Sequence, residues 1–234
     1  MAVVTVHDLV AALPEPAVLL ERCRAFAALD AVFDPAGTYR AHTFEPSSAG
    51  TAARAWGETA EENHYVILFA PAGVFVHGHD EERDDVLRCL ITDTRTGVYD
   101  PERLLEGLPA SLAHLREDVE FLDESGDFLG TVCAWRETGD VRWRCAPLQI
   151  DDDEDDGADD LFATLLEGSA ETYAKFAEEC YFQDSVDREA VATILAGLPL
   201  TPEIAARLNP SADFAAIAAA VAKTGFPVQQ ATVG

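Results

Sequence analysis

The most constraining feature of this sequence is a hydrophobic β-hairpin pattern within residues 63–82. Residues Tyr65–Phe69 are aromatic or aliphatic, which is typical of a buried strand. The turn Pro71-Ala72-Gly73 follows, and Val74–Val76 resumes the strand pattern. Because proline presets φ and glycine tolerates a positive φ, we expect a hairpin with a three-residue loop. A hairpin of this strength favours an antiparallel sheet around it.

Three of the six histidines lie in this hairpin pattern. With a three-residue loop, His79 lies opposite Tyr65 and His77 lies opposite Ile67, which places His64 on the other face of the sheet. His77 and His79 share a face in any register because they are two residues apart on one strand. Two imidazoles with nearby carboxylates are a ligand set for zinc or another transition metal. The candidate metal ligands are His77, His79, Asp80 and Glu81. The alternative, which we favour, is a strand that leaves the core with polar residues at its end.

Helix and strand patterns precede this hairpin. Thr5, with Asp8 three residues later, predicts a capped helix that runs to about Leu13. Residues 16–29 carry the apolar spacing of an amphipathic helix. Residues 38–44 and 51–58 predict two strands. After the hairpin, residues 80–90 and two short segments between 104 and 119 are predicted to be helical.

A second hairpin is predicted around the loop Thr138-Gly139-Asp140. With that loop, we expect Trp135 to face Trp143 and Cys133 to face Cys145. The opposite face would carry Arg136, Arg142 and Arg144. We interpret these arginines as partners of nearby acids, with an anion-binding clamp as the alternative.

Residues 151–160 read DDDEDDGADD, with eight acids and no base. Like charges at this density repel one another and stay solvated, so we predict a linker or exposed loop. Helix start signals dominate the chain beyond it. The predicted capping residues are Ser169, Asp187, Thr201 and Ser211.

These patterns predict an α+β fold in which an antiparallel β-sheet or meander with flanking helices is followed by a C-terminal helical bundle. Residues 1–150 are expected to form the α+β domain, and residues 151–160 the acidic linker. Residues 161–234 are expected to form a helical region packed on or beside the sheet domain.

The charge of the chain restricts its partners. The net charge is −27, with only two lysines against 14 arginines, a composition that suggests a bacterial source. Such acidity argues against nucleic acid and anionic membranes, and it favours a basic protein partner. We expect a cytoplasmic protein, since no signal-peptide pattern and no membrane-spanning apolar stretch is present.

No catalytic motif is recognisable. The five cysteines are an odd number without a Cys-x-x-Cys pair, so we expect reduced thiols rather than a disulfide framework or a zinc ribbon. No phosphate-binding glycine loop and no nucleophile elbow is present. The sequence therefore favours a non-catalytic protein and requires no cofactor, apart from the transition metal of the histidine hypothesis.

The leading hypothesis is an acidic protein that binds a basic protein partner, as an immunity or inhibitor-type protein would. The candidate interaction residues are Asp151, Asp152, Asp153, Glu154, Asp155 and Asp156. One alternative is a metal-binding protein or metal-dependent enzyme that uses His77 and His79. Another is a soluble protein adapted to salt with no specific partner.

Overall fold

The computed structural model describes residues 5–48, 52–58, 63–83, 91–92, 97, 100–118, 121–122, 126, 128–150 and 155–229. Within these residues the fold is mixed α+β, with a six-stranded antiparallel meander in the order β1 to β6, which confirms the predicted class. The strands are β1 (His42–Glu45), β2 (Ala53–Glu58), β3 (His64–Ala70), β4 (Gly73–His79), β5 (Val132–Glu137) and β6 (Arg144–Cys145).

The described helices lie mostly towards the C-terminus. They are α1 (Val6–Ala12), α2 (Pro16–Phe33), α3 (Ala158–Glu167), α4 (Ala170–Cys180), α5 (Arg188–Leu195), α6 (Pro202–Leu208) and α7 (Phe214–Lys223). Short 3₁₀ helices cover Glu81–Arg83, Pro101–Leu105 and Ala113–Glu117. Residues 84–90, for which a helix was predicted, lie outside the described residues.

The β3–β4 hairpin differs from the prediction by one residue. Ala70 pairs with Gly73, so the loop contains only Pro71 and Ala72. Gly73 has a φ of +151°, and a Cβ atom there would lie 2.3 Å from the backbone oxygen of Arg136. The glycine is therefore needed for close approach to β5 rather than for closing a three-residue loop.

The β5–β6 hairpin also differs by one residue from the expected register. Trp135 lies opposite Arg144, and Ala134 lies opposite Cys145. The turn explains the difference, because Asp140 donates its backbone N–H to Glu137 O at 3.0 Å and the chain then stays irregular before β6. The predicted facing pairs of tryptophans and cysteines were wrong.

Helix caps follow the sequence closely. The backbone N–H of Thr5 donates to Asp8 Oδ2 at 3.2 Å, as expected for the first turn of α1. Ser169 and Thr201 accept the predicted backbone bonds at the starts of α4 and α6. The cap of α7 is Asp213, which accepts from the N–H of Ala216, rather than Ser211.

Packing divides the chain into two compact units. Unit 1 comprises Met1–Leu13 and Glu58–Ala163, and unit 2 comprises Pro14–Gly57 and Thr164–Gly234. The sequence predicted a boundary at residues 151–160, and the helical region over residues 161–234, packed on or beside the sheet domain, stays a prediction. Within the described ranges, no helix combines the length and apolarity needed to cross a membrane.

Each unit has its own core. In unit 1, α1 packs on β5 and β6. In unit 2, α2 packs on β1, α5 and α7, and it is buried almost all round from Ala25 to Val32. The helix predicted over residues 16–29 is present, and its first half keeps an exposed side at Val18 and Glu21. The stretch that is buried on every side lies at the centre of the core of unit 2.

Candidate functional site

Three histidines lie on one face of the β3–β4 hairpin. His64 lies opposite His79, and Val66 lies opposite His77, so the alternation of side chains puts all three imidazoles on the same side. The ring centroid of His64 is 6.1 Å from that of His77 and 5.8 Å from that of His79. The predicted register was wrong by one residue, and it therefore put His64 on the opposite face.

His77 is the buried member of this histidine cluster. Its Nε2 is 2.6 Å from the backbone oxygen of Leu129, and its ring stacks on Phe121 with 4.2 Å between centroids. Burial, aided by the neighbouring His64 and His79, lowers the pKa of His77 to about 3. His77 is therefore neutral, with Nε2 as the hydrogen-bond donor and Nδ1 carrying the lone pair.

The predicted carboxylate ligands do not join these histidines. Asp80 is buried, and its Oδ1 accepts the N–H of Glu82 at 3.0 Å. Glu81 is exposed, and its backbone N–H donates to Asn63 Oδ1 at 2.9 Å. In the part of the chain that the structure describes, no group of three or more His, Cys, Asp or Glu residues is arranged to hold a metal ion. Metal binding by His77 and His79 stays a prediction.

The end of the acidic run is built into unit 1. Asp151, Asp152, Asp153 and Glu154 lie outside the described residues. Asp155 forms an ion pair with Arg83 at 2.9 Å. Asp156 is only 2% exposed, and its carboxylate accepts the N–H groups of Val6 at 2.7 Å and Ala158 at 3.0 Å. Burial raises the pKa of Asp156 to about 6. Asp156 therefore anchors the first turns of α1 and α3 instead of facing solvent.

Two of the three arginines of the second hairpin, Arg136 and Arg144, contact the chain itself. Arg136 is buried and donates from Nε to the backbone oxygen of Asp140 at 3.0 Å. Arg144 forms an ion pair with the Asp140 carboxylate at 3.3 Å. Arg144 thus pairs with a nearby acid as predicted, whereas Arg136 donates to a backbone carbonyl. Because Arg144 lies opposite Trp135, Arg136 and Arg144 lie on opposite faces of the sheet, so the predicted shared face was wrong.

A buried polar cluster lies in unit 2. Asp30 is fully buried, and its Oδ2 accepts the backbone N–H of His42 at 2.6 Å and faces His42 Nδ1 at 3.2 Å. The hydroxyl of Tyr173 donates to Asp30 Oδ1. Burial and the negative charge of Asp30 raise the pKa of Tyr173 well above its usual value. This cluster joins α2, β1 and α4, and it satisfies a carboxylate that would be costly to bury alone.

Phe182, just after α4, is the most exposed large hydrophobic residue among those described, and no sequence pattern indicated it. Its side chain is 93% exposed, and its φ of +51° is the only positive φ of a non-glycine residue among those described. The backbone around it is held by a bond from Gln183 N to Glu178 O at 3.0 Å. The preceding Tyr181 stacks on Phe33 with 5.3 Å between ring centroids. This hydrogen bond and this ring stacking hold the loop that exposes Phe182 to solvent.

Acidic and polar residues surround this phenylalanine along the chain. Glu179, Gln183 and Asp184 are all exposed. We call Glu179, Phe182, Gln183 and Asp184 the Phe182 surface. No sequence signal distinguished it, because a lone phenylalanine near a helix end is usually a core residue.

The structure also joins a cysteine and a histidine that are 138 residues apart. His7 Nδ1 is 3.3 Å from Cys145 Sγ, and His7 Nε2 is 3.0 Å from the backbone oxygen of Leu148. Sequence reasoning could not find this pair, because no local pattern links α1 to β6.

No protein-family model, curated protein or solved structure matches this chain.

Proposed function

We propose that this protein is a non-catalytic binding protein that recognises a basic protein partner through the Phe182 surface. The observation that carries the proposal is the exposed Phe182, held at a φ of +51° beside exposed acids.

Backbone strain supports a role for this residue. A left-handed conformation costs a residue with a Cβ atom roughly 1–2 kcal/mol, and glycine is the usual choice at such a helix end. Here the position holds a large apolar side chain that buries almost nothing within the chain. Strain combined with exposure is expected where an aromatic side chain serves as an anchor for a partner.

The charge distribution supports a basic partner. Arg188 is already shared by Glu171 and Glu178. Arg207 is likewise shared by Asp187 and Glu189. Each of these two arginines already pairs with two acids. Their positive charges therefore do not neutralise the remaining negative charge of the chain.

A complementary partner would present an apolar pocket for the Phe182 ring, bordered by lysine or arginine side chains. The aromatic contact would supply affinity, and the long-range attraction between opposite charges would speed association. An inhibitor of a basic enzyme and an adaptor for a basic protein both meet this description.

The test is capture from the source-cell lysate on the immobilised full chain at about 0.15 M salt, where exposed charges are screened beyond roughly 8 Å. The captured protein is then purified, and its dissociation constant is measured over a salt series. We expect one basic partner, weaker binding at higher salt, and a loss of about 30-fold or more in affinity for Phe182→Ser.

The matched control is Val141→Ser, because Val141 is 88% exposed but lies in the β5–β6 connection of unit 1. Its affinity should stay within about twofold of the original chain, as for a surface substitution outside an interface. An acidic partner, or a basic partner that binds Phe182→Ser with unchanged affinity, would contradict the proposal.

A further inference from the structure

We propose that Cys145 is a site of thiol–disulfide exchange, with His7 as its general base and small cationic disulfides as its preferred reactants. This inference is independent of the Phe182 surface and concerns unit 1 alone.

The hydrogen bonds of His7 assign its tautomer. A backbone carbonyl can only accept, so the contact of 3.0 Å between His7 Nε2 and Leu148 O requires the proton on Nε2. Nδ1 of the neutral ring then carries a lone pair, and it faces the Cys145 thiol at 3.3 Å. A nucleophile, a base and a group that orients the base are thereby arranged in series.

The surroundings keep the Cys145 thiol protonated at rest. Burial and the nearby charge of Asp156 raise the pKa of Cys145 to about 11. Little thiolate is present at neutral pH, so reaction depends on transfer of the thiol proton to His7 during attack. The Asp156 carboxylate interacts electrostatically with both members of the pair and would stabilise the imidazolium that forms.

Exposure also distinguishes Cys145 from its neighbour. Cys145 is half-buried and His7 is exposed, so a small reagent can reach the sulfur atom. Cys133 is buried, and burial raises its pKa far above the ordinary range. Because Ala134, not Cys133, lies opposite Cys145, the two cysteines project from opposite faces of the sheet.

The exchange is balanced without a further oxidant. The Cys145 proton moves to His7 Nδ1, and the sulfur attacks one sulfur atom of the disulfide. A new sulfur–sulfur bond forms, the old one breaks, and the leaving thiolate takes the proton back from His7. The products are a mixed disulfide on Cys145 and one free thiol. Since the net charge of the chain is −27, cationic disulfides are attracted and anionic ones are repelled.

The experiment measures the rate of mixed-disulfide formation at Cys145 of the full chain by peptide mass spectrometry. The reagents are cystamine, which is cationic, and dithiobis(nitrobenzoate), which is anionic, each normalised to its rate with free cysteine. We expect relatively faster reaction with cystamine. His7→Gln should slow the reaction at pH 7 by about tenfold or more, as for loss of a general base.

The pH profile separates base catalysis from a structural effect. The original chain should react across neutral pH, whereas His7→Gln should react appreciably only as thiolate forms at alkaline pH. Partial unfolding in His7→Gln would instead expose Cys145 and accelerate its modification. The control Cys180→Ser removes another half-buried thiol and should leave the Cys145 rate unchanged.

Unchanged reactivity of Cys145 in His7→Gln at pH 7 would overturn the proposal. Relatively faster reaction with the anionic reagent would overturn its assignment of cationic reactants.

Discussion

His64 lies directly opposite His79 in the β3–β4 ladder, with 5.8 Å between the centroids of the two rings. His77, two residues before His79, completes a cluster in which one imidazole is fully buried. The arrangement makes protonation of the buried ring unfavourable, since the positive charge would be placed away from water and close to two other imidazoles.

Acid should therefore destabilise the folded chain through His77. An unfolded histidine takes up its proton near pH 6.5, whereas His77 does so only near pH 3 in the folded state. Lowering the pH through this range favours the unfolded state, at a cost on the order of 2 kcal/mol by pH 5. Urea unfolding of His77→Gln, compared with the original chain at pH 7 and pH 5, should show a smaller loss of stability in the variant.

His114→Gln is the control for that measurement, because His114 is exposed on a 3₁₀ helix of the same unit. It should retain the acid sensitivity of the original chain. Equal acid sensitivity in His77→Gln and the original chain would rule out His77 as its source.

Asp156 should contribute a pH dependence of the opposite sign. Its pKa is raised from 3.8 to about 6, so the folded state holds the proton to a higher pH than the unfolded state does. Raising the pH from 4 to 6 should therefore remove about 2 kcal/mol of stability. In Asp156→Asn this contribution disappears, and the change is read from unfolding free energies at pH 4, 5, 6 and 7.

Glu106→Gln serves as the comparison for Asp156, since Glu106 is exposed and lies in the same unit. The slope of its stability against pH should match that of the original chain. A steeper loss between pH 4 and 6 in Asp156→Asn than in the original chain would contradict the prediction.

Tyr173→Phe should destabilise unit 2 by about 1–3 kcal/mol, because it removes a hydroxyl donor from a buried carboxylate oxygen. The side chain keeps its ring packing, including the 5.1 Å contact with Phe26, so the loss reports the hydrogen bond to Asp30. Chemical denaturation at pH 7 measures it. Tyr39→Phe, at a side chain that is 48% exposed, should change stability by less than about 0.5 kcal/mol. Equal effects of the two substitutions would show that the Asp30 contact contributes nothing specific.

Phe182→Gly should increase the unfolding free energy by about 1 kcal/mol or leave it unchanged, since glycine adopts a positive φ without steric cost. The same substitution should weaken the proposed partner complex. Stability and affinity would then change in opposite directions, and calorimetry of the free chain and of the complex measures both. A marked loss of stability in Phe182→Gly would show that the exposed ring has a structural role.

The fold class was predictable because its signals are local. Apolar strand runs, the Thr5 and Ser169 caps, and the proline after Thr201 each act within a few residues. Register was less predictable, because it depends on contacts between strands. Gly73 approaches Arg136 of β5, which lies far along the chain, and the two-residue loop before Gly73 places His64 on the face of His77.

The candidate sites were harder to predict because they join distant residues. The acidic run suggested a solvated linker, yet Gly157 packs so closely on Asp80 that a Cβ atom would lie 2.7 Å from its Oδ2. His7 and Cys145 each belong to an unremarkable local pattern, and only the packing of α1 on β6 joins them.

The two segments of unit 2 have a consequence for synthesis on the ribosome. Helix α2 is made early, but α5 and α7, which cover its apolar surface, are translated only after residue 187. At about 5–20 residues per second, the part of the helix that α5 and α7 cover lacks these partners for many seconds, although β1 is made soon after α2. Unit 1, by contrast, needs no residue beyond Ala163. The nascent chain is thus expected to bury the histidine hairpin first and to depend on chaperones for α2 until its final partners emerge.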